Sequence, residues 1–461
     1  MSAKKGTAKS LTRREFLKGM AAAGAVSVTA ASAVGTTLAS KPTRSITPVL
    51  MRQETRVVEM WMWETEDQWR NVEAMSGLNE RFPDVEFRWT SLPYADLHQK
   101  AVASLAAGIP EGLPSLFRTH NPFYRPLVNT GSIRDVTDQI ASYESDVLGS
   151  VWLEGTIDGR HYHVPDDTSV LLMGYRTDIF EVAGLPTDPA EVAELLATYD
   201  DYITVGQTIK DATGASMTNM TAGATMFSNF IGQNTTGLFD EEGNVIFDSD
   251  AHIEAATMAK KLWDSDLTLD VGQYTPQLFQ AFKDGQIATY FYPNFYDFVL
   301  LDNAPETVGQ WRVTKLPKLN DASKRARVDP GLGLVIPSIL PEEQQQLALE
   351  VALHLKLTEQ GTVAHMKTFP GAFVSYIPGL EAMHDEPSPV LNEQFTFREF
   401  LGALADEQPY PRLVTSAFES DASAAINDAM FLILTENAPI AETLTNAANS
   451  IRQLQDSRGI K

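Results

Sequence analysis

Beyond residue 55, short apolar or β-branched runs alternate with longer stretches whose apolar residues recur every three to four positions. That is the rhythm of strands and helices in turn. Arg56–Trp63 reads as a first strand, and Trp69, Val72, Met75, Leu78 and Phe82 set an apolar stripe on a helix that Pro83-Asp84 ends. Val85–Trp89 predicts a second strand, Tyr94–Ala107 a second helix closed by Gly108, and Pro114–Phe117 a third strand. Three consecutive β-α steps predict an α/β fold with a largely parallel sheet wrapped by helices. Thr168–Tyr175 resumes the strand pattern before a long helical region. Leu238–Phe247 reads as a hairpin with an acidic, glycine-bearing turn whose acids do not follow the alternate-position spacing of a calcium loop. Asp248-Ser249-Asp250 offers caps for a helix carrying Ile253, Ala256, Met258 and Leu262, and Ile440, Leu444, Ala447, Ile451 and Leu454 stripe a closing helix.

The first forty residues break this rhythm. A basic start (Lys4, Lys5, Lys9, Arg13, Arg14, Lys18) precedes an apolar stretch, Met20–Leu38, and small residues suited to a signal peptidase at Ala33 or Ala39. Thr12-Arg13-Arg14-Glu15-Phe16-Leu17-Lys18 matches the twin-arginine export signal, so the translocase of that route is an expected partner. The expected segments are a signal at 1–39 and a linker at 40–55. No cysteine occurs, which excludes a lipoprotein anchor, disulfides and thiolate chemistry. Past the signal no apolar run approaches a membrane span of about eighteen residues. The expected location is therefore periplasmic or otherwise extracytoplasmic, with a membrane tether only if the signal stays uncleaved.

The formal charge is −24, and removal of the signal makes it roughly −29. Such a field repels phosphates, which argues against nucleic acid and anionic lipid as partners. Enzyme motifs are missing: there is no Gly-x-Ser-x-Gly, Walker loop or His-Glu-x-x-His, and Gly331-Leu332-Gly333 lacks the rest of a dinucleotide fingerprint. His161-Tyr162-His163 would put two imidazoles on one face of a strand, but no third ligand is suggested, so a polar edge strand is the simpler reading and no metal or cofactor is expected. Candidate ligand contacts lie where strands end, because the crevice of an open α/β sheet is found there. Trp63-Glu64, His120-Asn121 and Asp166-Asp167 hold such positions, and Tyr290, Phe291, Tyr292, Phe295 and Tyr296 crowd a later strand and turn. Flat apolar faces beside amides and carboxylates suit a sugar, which stacks its C–H face and shares its hydroxyls.

Several longer segments resemble one family. Phe82-Pro83-Asp84-Val85-Glu86-Phe87, Ala106-Ala107-Gly108 and Gly131–Thr137 follow its order of landmarks; so do Phe282–Ala288, Trp311-Arg312-Val313 before Leu316-Pro317, and Gly331–Ile336. The most specific stretch is Ile157–Pro165 followed by Leu172–Leu185, which is similar to Asp-Gly-Lys-x-Tyr-x-x-Pro and Tyr-Asn-x-Asp-x-Phe-x-x-Ala-Gly-Leu. These segments resemble the extracellular solute-binding proteins of ABC importers, in the carbohydrate branch that includes maltose-binding protein. The resemblance implies two α/β lobes with open, mostly parallel sheets, joined by crossing strands near Asp166–Ser169, Thr289–Pro293 and Pro337–Pro341. Lobe 1 would hold 56–166 and 290–338, and lobe 2 would hold 167–289 and 339–461. The function implied is capture, not catalysis, of a mono- or oligosaccharide in the cleft and its delivery by a monomer to a membrane permease. Phe295 stands where relatives place a stacking tryptophan, and Glu419 stands at another aromatic position. The expected ligand-binding set is Trp63, Glu64, His120, Asn121, Asp166, Asp167, Asn294, Phe295, Tyr296, Gly331, Phe373 and Glu419. The acids leave two alternatives: an amino sugar or polyamine as ligand, or a secreted glycoside hydrolase using Glu64 with Asp166 or Asp167.

Overall fold

A computed structural model describes residues 56–459 except 235, 330, 407–415 and 417. The expected signal with Arg13 and Arg14, and the expected linker, lie outside the described residues. Among those described, two five-stranded sheets are built from β1 (Arg56–Met62), β2 (Val85–Ser91), β3 (Leu116–His120), β4 (Val164–Pro165), β5 (Asp167–Arg176), β6 (Thr289–Pro293), β7 (Trp311–Thr314), β8 (Arg327–Asp329), β9 (Leu332–Val335) and β10 (Phe373–Val374).

The first sheet has the order β2-β1-β3-β9-β4. β1 runs parallel to β2 and β3, as the β-α rhythm predicts, while β9 enters antiparallel between β3 and β4 with Leu332 opposite His120 and Gly333 opposite Pro165. The helix after β1, α1 (Glu66–Ser76), opens on a capping box: Gln68 N donates to Thr65 Oγ1 at 3.3 Å, and Thr65 N donates to Gln68 Oε1 at 3.1 Å. It stops at Gly77, whose φ of 71° lets the chain turn where a side chain would be strained. The expected single stripe therefore splits, and Met75 is left 41% exposed while Trp69, Val72 and Leu78 are buried. The second helix, α2, spans Tyr94–Ala107 and ends at Gly108, as read from the sequence.

The second sheet is organised around β5, to which β6, β7, β8 and β10 all pair antiparallel. This differs from the expected mostly parallel sheet; the parallel pairings on this side are short, as between Thr218-Asn219 and Thr268-Leu269. β5 is covered on both faces, and its side chains divide by parity. Leu171, Met173 and Tyr175 join one apolar core, and Val170 and Leu172 join another. Gly174 has no room for a side chain, since a Cβ would lie 2.7 Å from the Tyr292 ring.

The chain passes between the sheets at 165–167, where β4 gives way to β5, and at 329–332, where β8 gives way to β9. Residues 289–293, 311–314 and 327–329 thus pair in the second sheet, not the first, because β6 to β8 all bond to β5. Conversely, α3 (Glu342–Lys356) and α4 (Glu359–Thr368) pack their apolar faces with β1 and α1, so this stretch belongs with the first sheet. Thr289–Pro293 lies wholly within the second sheet, and Pro337 bridges to Ile133 beside the first, so neither is a crossing. In the acidic hairpin, Phe239 pairs with Val245, and the Asp240 carboxylate accepts from the amides of Glu242 and Asn244 at 3.1 and 2.7 Å. Ser249 sits at the start of helix Asp250–Asp264, but its hydroxyl is hydrogen-bonded to the His252 ring at 2.8 Å instead of capping the helix.

Candidate ligand-binding cleft

The crossing at 165–167 is anchored by one guanidinium. Arg118, in the middle of β3, is 3% exposed and divides its donors among three carboxylates: Nε to Asp166 at 2.7 Å, Nη1 to Glu64 and Nη2 to Asp167. Lys356, at the end of α3, contacts Asp166 and lies 3.9 Å from Asp167, and His365 of α4 reaches Asp167 at 3.2 Å. Burial works against the charge on Arg118, but Asp166, Glu64 and Asp167 more than offset it and hold the guanidinium protonated. Burial alone would raise Asp167, yet Arg118, the His365 ring and Lys356 hold its carboxyl well below the usual range. Burial pushes Asp166 up, helped by Asp167 and opposed by Arg118 and Lys356, so it is the first of the pair to take a proton on acidification.

Glu64, Asp166 and Asp167 were expected to meet sugar hydroxyls, but all three are spent on this network. Asp166 is wholly buried, and Glu64 also accepts from Trp69 Nε1 at 3.2 Å. Asp166, Asp167 and His365 form the one group among the described residues with three possible metal ligands, within 4.8 Å of one another. Arg118 and Lys356 already supply two positive charges there. His161 and His163 belong to no such group; both are buried, with His161 packed on Trp152 at 4.1 Å between ring centres.

On the first-sheet side, Arg118 also carries the aromatic wall. Its guanidinium lies 4.8 Å from the Trp63 ring centre, and His120 stacks parallel to Trp63 at 6.2 Å and 3°. Tyr94 meets Trp63 edge-on at 5.2 Å, and Tyr94 and Phe123 stay 42% and 40% exposed. Trp63 and His120 are thus brought together as expected. Asn121 opens the next helix, and its side chain lies outside the described residues.

On the second-sheet side a cavity of about 350 Å³ is lined by Leu171 and Pro293, by Thr225, Ser228 and Asn229 of the helix Thr225–Gln233, by Gln273 and Tyr274, by Tyr290, Phe291 and Phe295, by Arg327 and Asp329, and by Ser423 and Asn427 of α5 (Glu419–Glu436). Arg327 and Asp329 are paired to each other, and Arg327 also donates to Asn229 Oδ1. Tyr274 has φ 57°, an uncommon conformation for a bulky residue, and this turns its 53% exposed ring against Tyr296 at 6.0 Å. Phe295 lines this cavity. Glu419 stands two helical turns from Asn427 on the same face of α5, and burial pushes its carboxyl up to about 7 against the amide of Ser416.

The remaining expected contacts are structural. Asn294 is 1% exposed, its carbonyl accepting from Val170 N and its amide donating to Gly371 O, both at 2.7 Å. Tyr296 is buried and donates to the Tyr290 hydroxyl at 2.9 Å. Phe373 is a core residue on β10, and Gly331 is fixed by Val151, whose Cγ1 would lie 2.8 Å from a Cβ there. Sequence reading missed Tyr274, Asn229, Arg327, Asp329, Ser423 and Asn427. Only Asp329, two residues before the Gly331-Leu332-Gly333 crossing, carried a signal of position.

Residues 64–350 match the family described as bacterial extracellular solute-binding protein. The chain belongs to that family. Among similar proteins is the arabinooligosaccharide-binding protein of Halalkalibacterium halodurans, 24% identical over 341 residues that span 72% of each chain. Another is the lactose-binding protein of Rhizobium radiobacter, 26% identical over 275 residues, 57% of this chain and 62% of that one. Solved structures share the two-lobed fold. The ABC-transporter-associated binding protein of B. animalis subsp. lactis, in complex with β-1,6-galactobiose, superposes with a TM-score of 0.71 at 19% identity, covering 88% of this chain and 99% of that one. Maltose-bound MalE3 of T. maritima gives 0.68 at 20% identity, covering 86% and 99%. This solute-binding protein therefore works outside the cytoplasm, and no helix among its described residues is long and apolar enough to cross a membrane.

Proposed function

We propose that this solute-binding protein captures a neutral di- or oligosaccharide and hands it to the permease of an ABC importer. The cavity beside the 329–332 crossing carries the reading. Tyr274, Tyr290 and Phe295 offer ring faces, Asn229, Gln273, Asn427 and Ser423 offer uncharged donors and acceptors, and the cation and anion in its lining neutralise each other. Trp63, His120, Tyr94 and Phe123 provide a second aromatic wall on the first-sheet side of the crossings. The relatives named for arabinooligosaccharides and lactose support the same ligand class. We further propose that the chain acts as a monomer and is exported folded through its twin-arginine signal.

The amino-sugar or polyamine reading loses its basis, since Glu64, Asp166 and Asp167 already hold Arg118 and Lys356. The same pairing leaves the glycoside-hydrolase reading without an uncommitted acid and base among those residues. Calorimetric titration of the purified chain with lactose, galactobiose, maltose, arabino-oligosaccharides, glucosamine and spermidine tests the proposal. Binding of at least one neutral sugar is expected; binding of spermidine with no neutral sugar bound would sink it.

A further inference from the structure

The cavity does not end at its 350 Å³ chamber. A smaller and more enclosed space of about 80 Å³ shares Thr225, Asn229, Gln273, Tyr290 and Phe291 with it and continues inward to Asn219, Met220, Thr221 and Met226. A cavity of about 150 Å³ accommodates one benzene-sized ring, and a water takes about 30 Å³ of liquid. The chamber is therefore large enough for two rings, whereas the annex is too small for one and too large for a single water.

Its chemistry is two-sided. Met220, Met226 and Phe291 make an apolar floor. Asn219 gives one amide proton to Val271 O at 3.0 Å, which leaves its carbonyl oxygen as an acceptor. Asn229 has its carbonyl taken by Arg327, which leaves its NH₂ as a donor. Tyr290 accepts from Tyr296, which leaves its own hydroxyl proton to give. No charged residue lines the annex. The group that fits has one apolar carbon and one hydroxyl able both to donate and to accept.

We infer that the annex receives the exocyclic hydroxymethyl group of the sugar unit at the inner end of the chamber, so that the protein selects saccharides ending in a unit that carries this arm. The inference rests on the sugar-binding reading above. A hexopyranosyl or a terminal pentofuranosyl unit has the arm and a pentopyranosyl unit lacks it, while a uronate would bring a carboxylate to a place with no cation.

Matched pairs test the arm: cellobiose against xylobiose, which lacks it on both units, and lactose against its analogue with a terminal arabinopyranose in place of galactose, which lacks it on that unit alone. Calorimetry on the full mature chain should show the hydroxymethyl-bearing member bound at least about tenfold more tightly, the loss expected when polar groups of a site go unpaired. Thr221→Leu and Asn219→Leu, which fill the annex from two sides, should reduce that preference to about twofold or less, mainly by weakening the hydroxymethyl-bearing partner. If Asn219→Leu does not fold, Thr221→Leu at its half-buried position decides. Equal affinity within each pair for the unaltered protein would overturn the inference while leaving the sugar reading intact. So would a preference that survives in the folded variants. Failure of every sugar in the wider panel to bind would overturn both.

Discussion

Replacing Arg118 with Met is the sharpest test of how the crossing is held. Met roughly keeps the length of the aliphatic stem but removes the one group shared by Glu64, Asp166 and Asp167, whose side chains are 9%, 0% and 10% exposed. Asp166 and Asp167 would retain Lys356, and Asp167 would retain His365, but Glu64 would keep only the Trp69 indole N–H. Breaking a buried pair by removing one partner costs about 3–5 kcal/mol, because a charge is left without compensation. With little solvent to screen these groups, the upper half of that range is expected. At roughly 2 °C per kcal/mol for a chain of this size, the melting temperature should fall by about 8–10 °C. Arg118→Lys keeps the charge as a single point that cannot serve three acceptors in a fork, so it should recover less than half of the loss. Urea titration followed by tryptophan fluorescence measures it directly, with Trp63 and Trp69 beside the network as reporters. A loss below about 1 kcal/mol in Arg118→Met would refute the view that this network organises the crossing.

Other outcomes follow from local geometry. Tyr274→Ala and Phe295→Ala should each weaken saccharide binding by about tenfold in calorimetry with little effect on unfolding, as their rings face the cavity and are not fully buried. Gly333→Ala places a methyl group in the His163 ring and should destabilise by about 2–3 kcal/mol, whereas Gly402→Ala meets nothing and should gain about 0.5–1 kcal/mol in its helix; urea midpoints compare them. His163 is held down to about 3 by burial and then by His161. The unfolded chain therefore binds the extra proton between the ordinary value of 6.5 and about 3, and stability should fall as the pH drops through that window, with a shallower slope in His163→Gln. Glu419 has the opposite sign: its carboxyl is raised from 4.5 to about 7, so its contribution is complete below 4.5 and is lost as the pH rises through 7. Glu419→Gln should flatten that decline in melting temperature.

Much of the first sheet was legible because local pattern determined it. Tyr94–Ala107 is amphipathic, begins after a proline and ends at a glycine, and each of those signals acts within a few residues. The membership of later strands was not legible, because β6, β7 and β8 choose their sheet by pairing with β5 from more than a hundred residues away. That Trp63 and His120 lie together was legible from strand ends, where position alone points to a crevice. The acids beside them were correctly placed at the crossing but misread in role, since nothing in the sequence tied Arg118 and Lys356 to Asp166 and Asp167. Tyr274 and Asn427 stayed hidden, one within a turn and the other on an ordinary polar helix face.

The insertion of β9 between β3 and β4 sets a timetable for synthesis. Of its neighbours, β3 leaves the ribosome about 210 residues and β4 about 170 residues before Leu332–Val335, so both wait through roughly eight to thirty-five seconds of synthesis at 5–20 residues per second. During that interval β3 and β4 each have an open edge where β9 will lie, and Arg118 awaits Lys356 to complete its charge balance. A chaperone that shields sheet edges would thus act before Leu332–Val335 emerges and would have little to hold once β9 is in place.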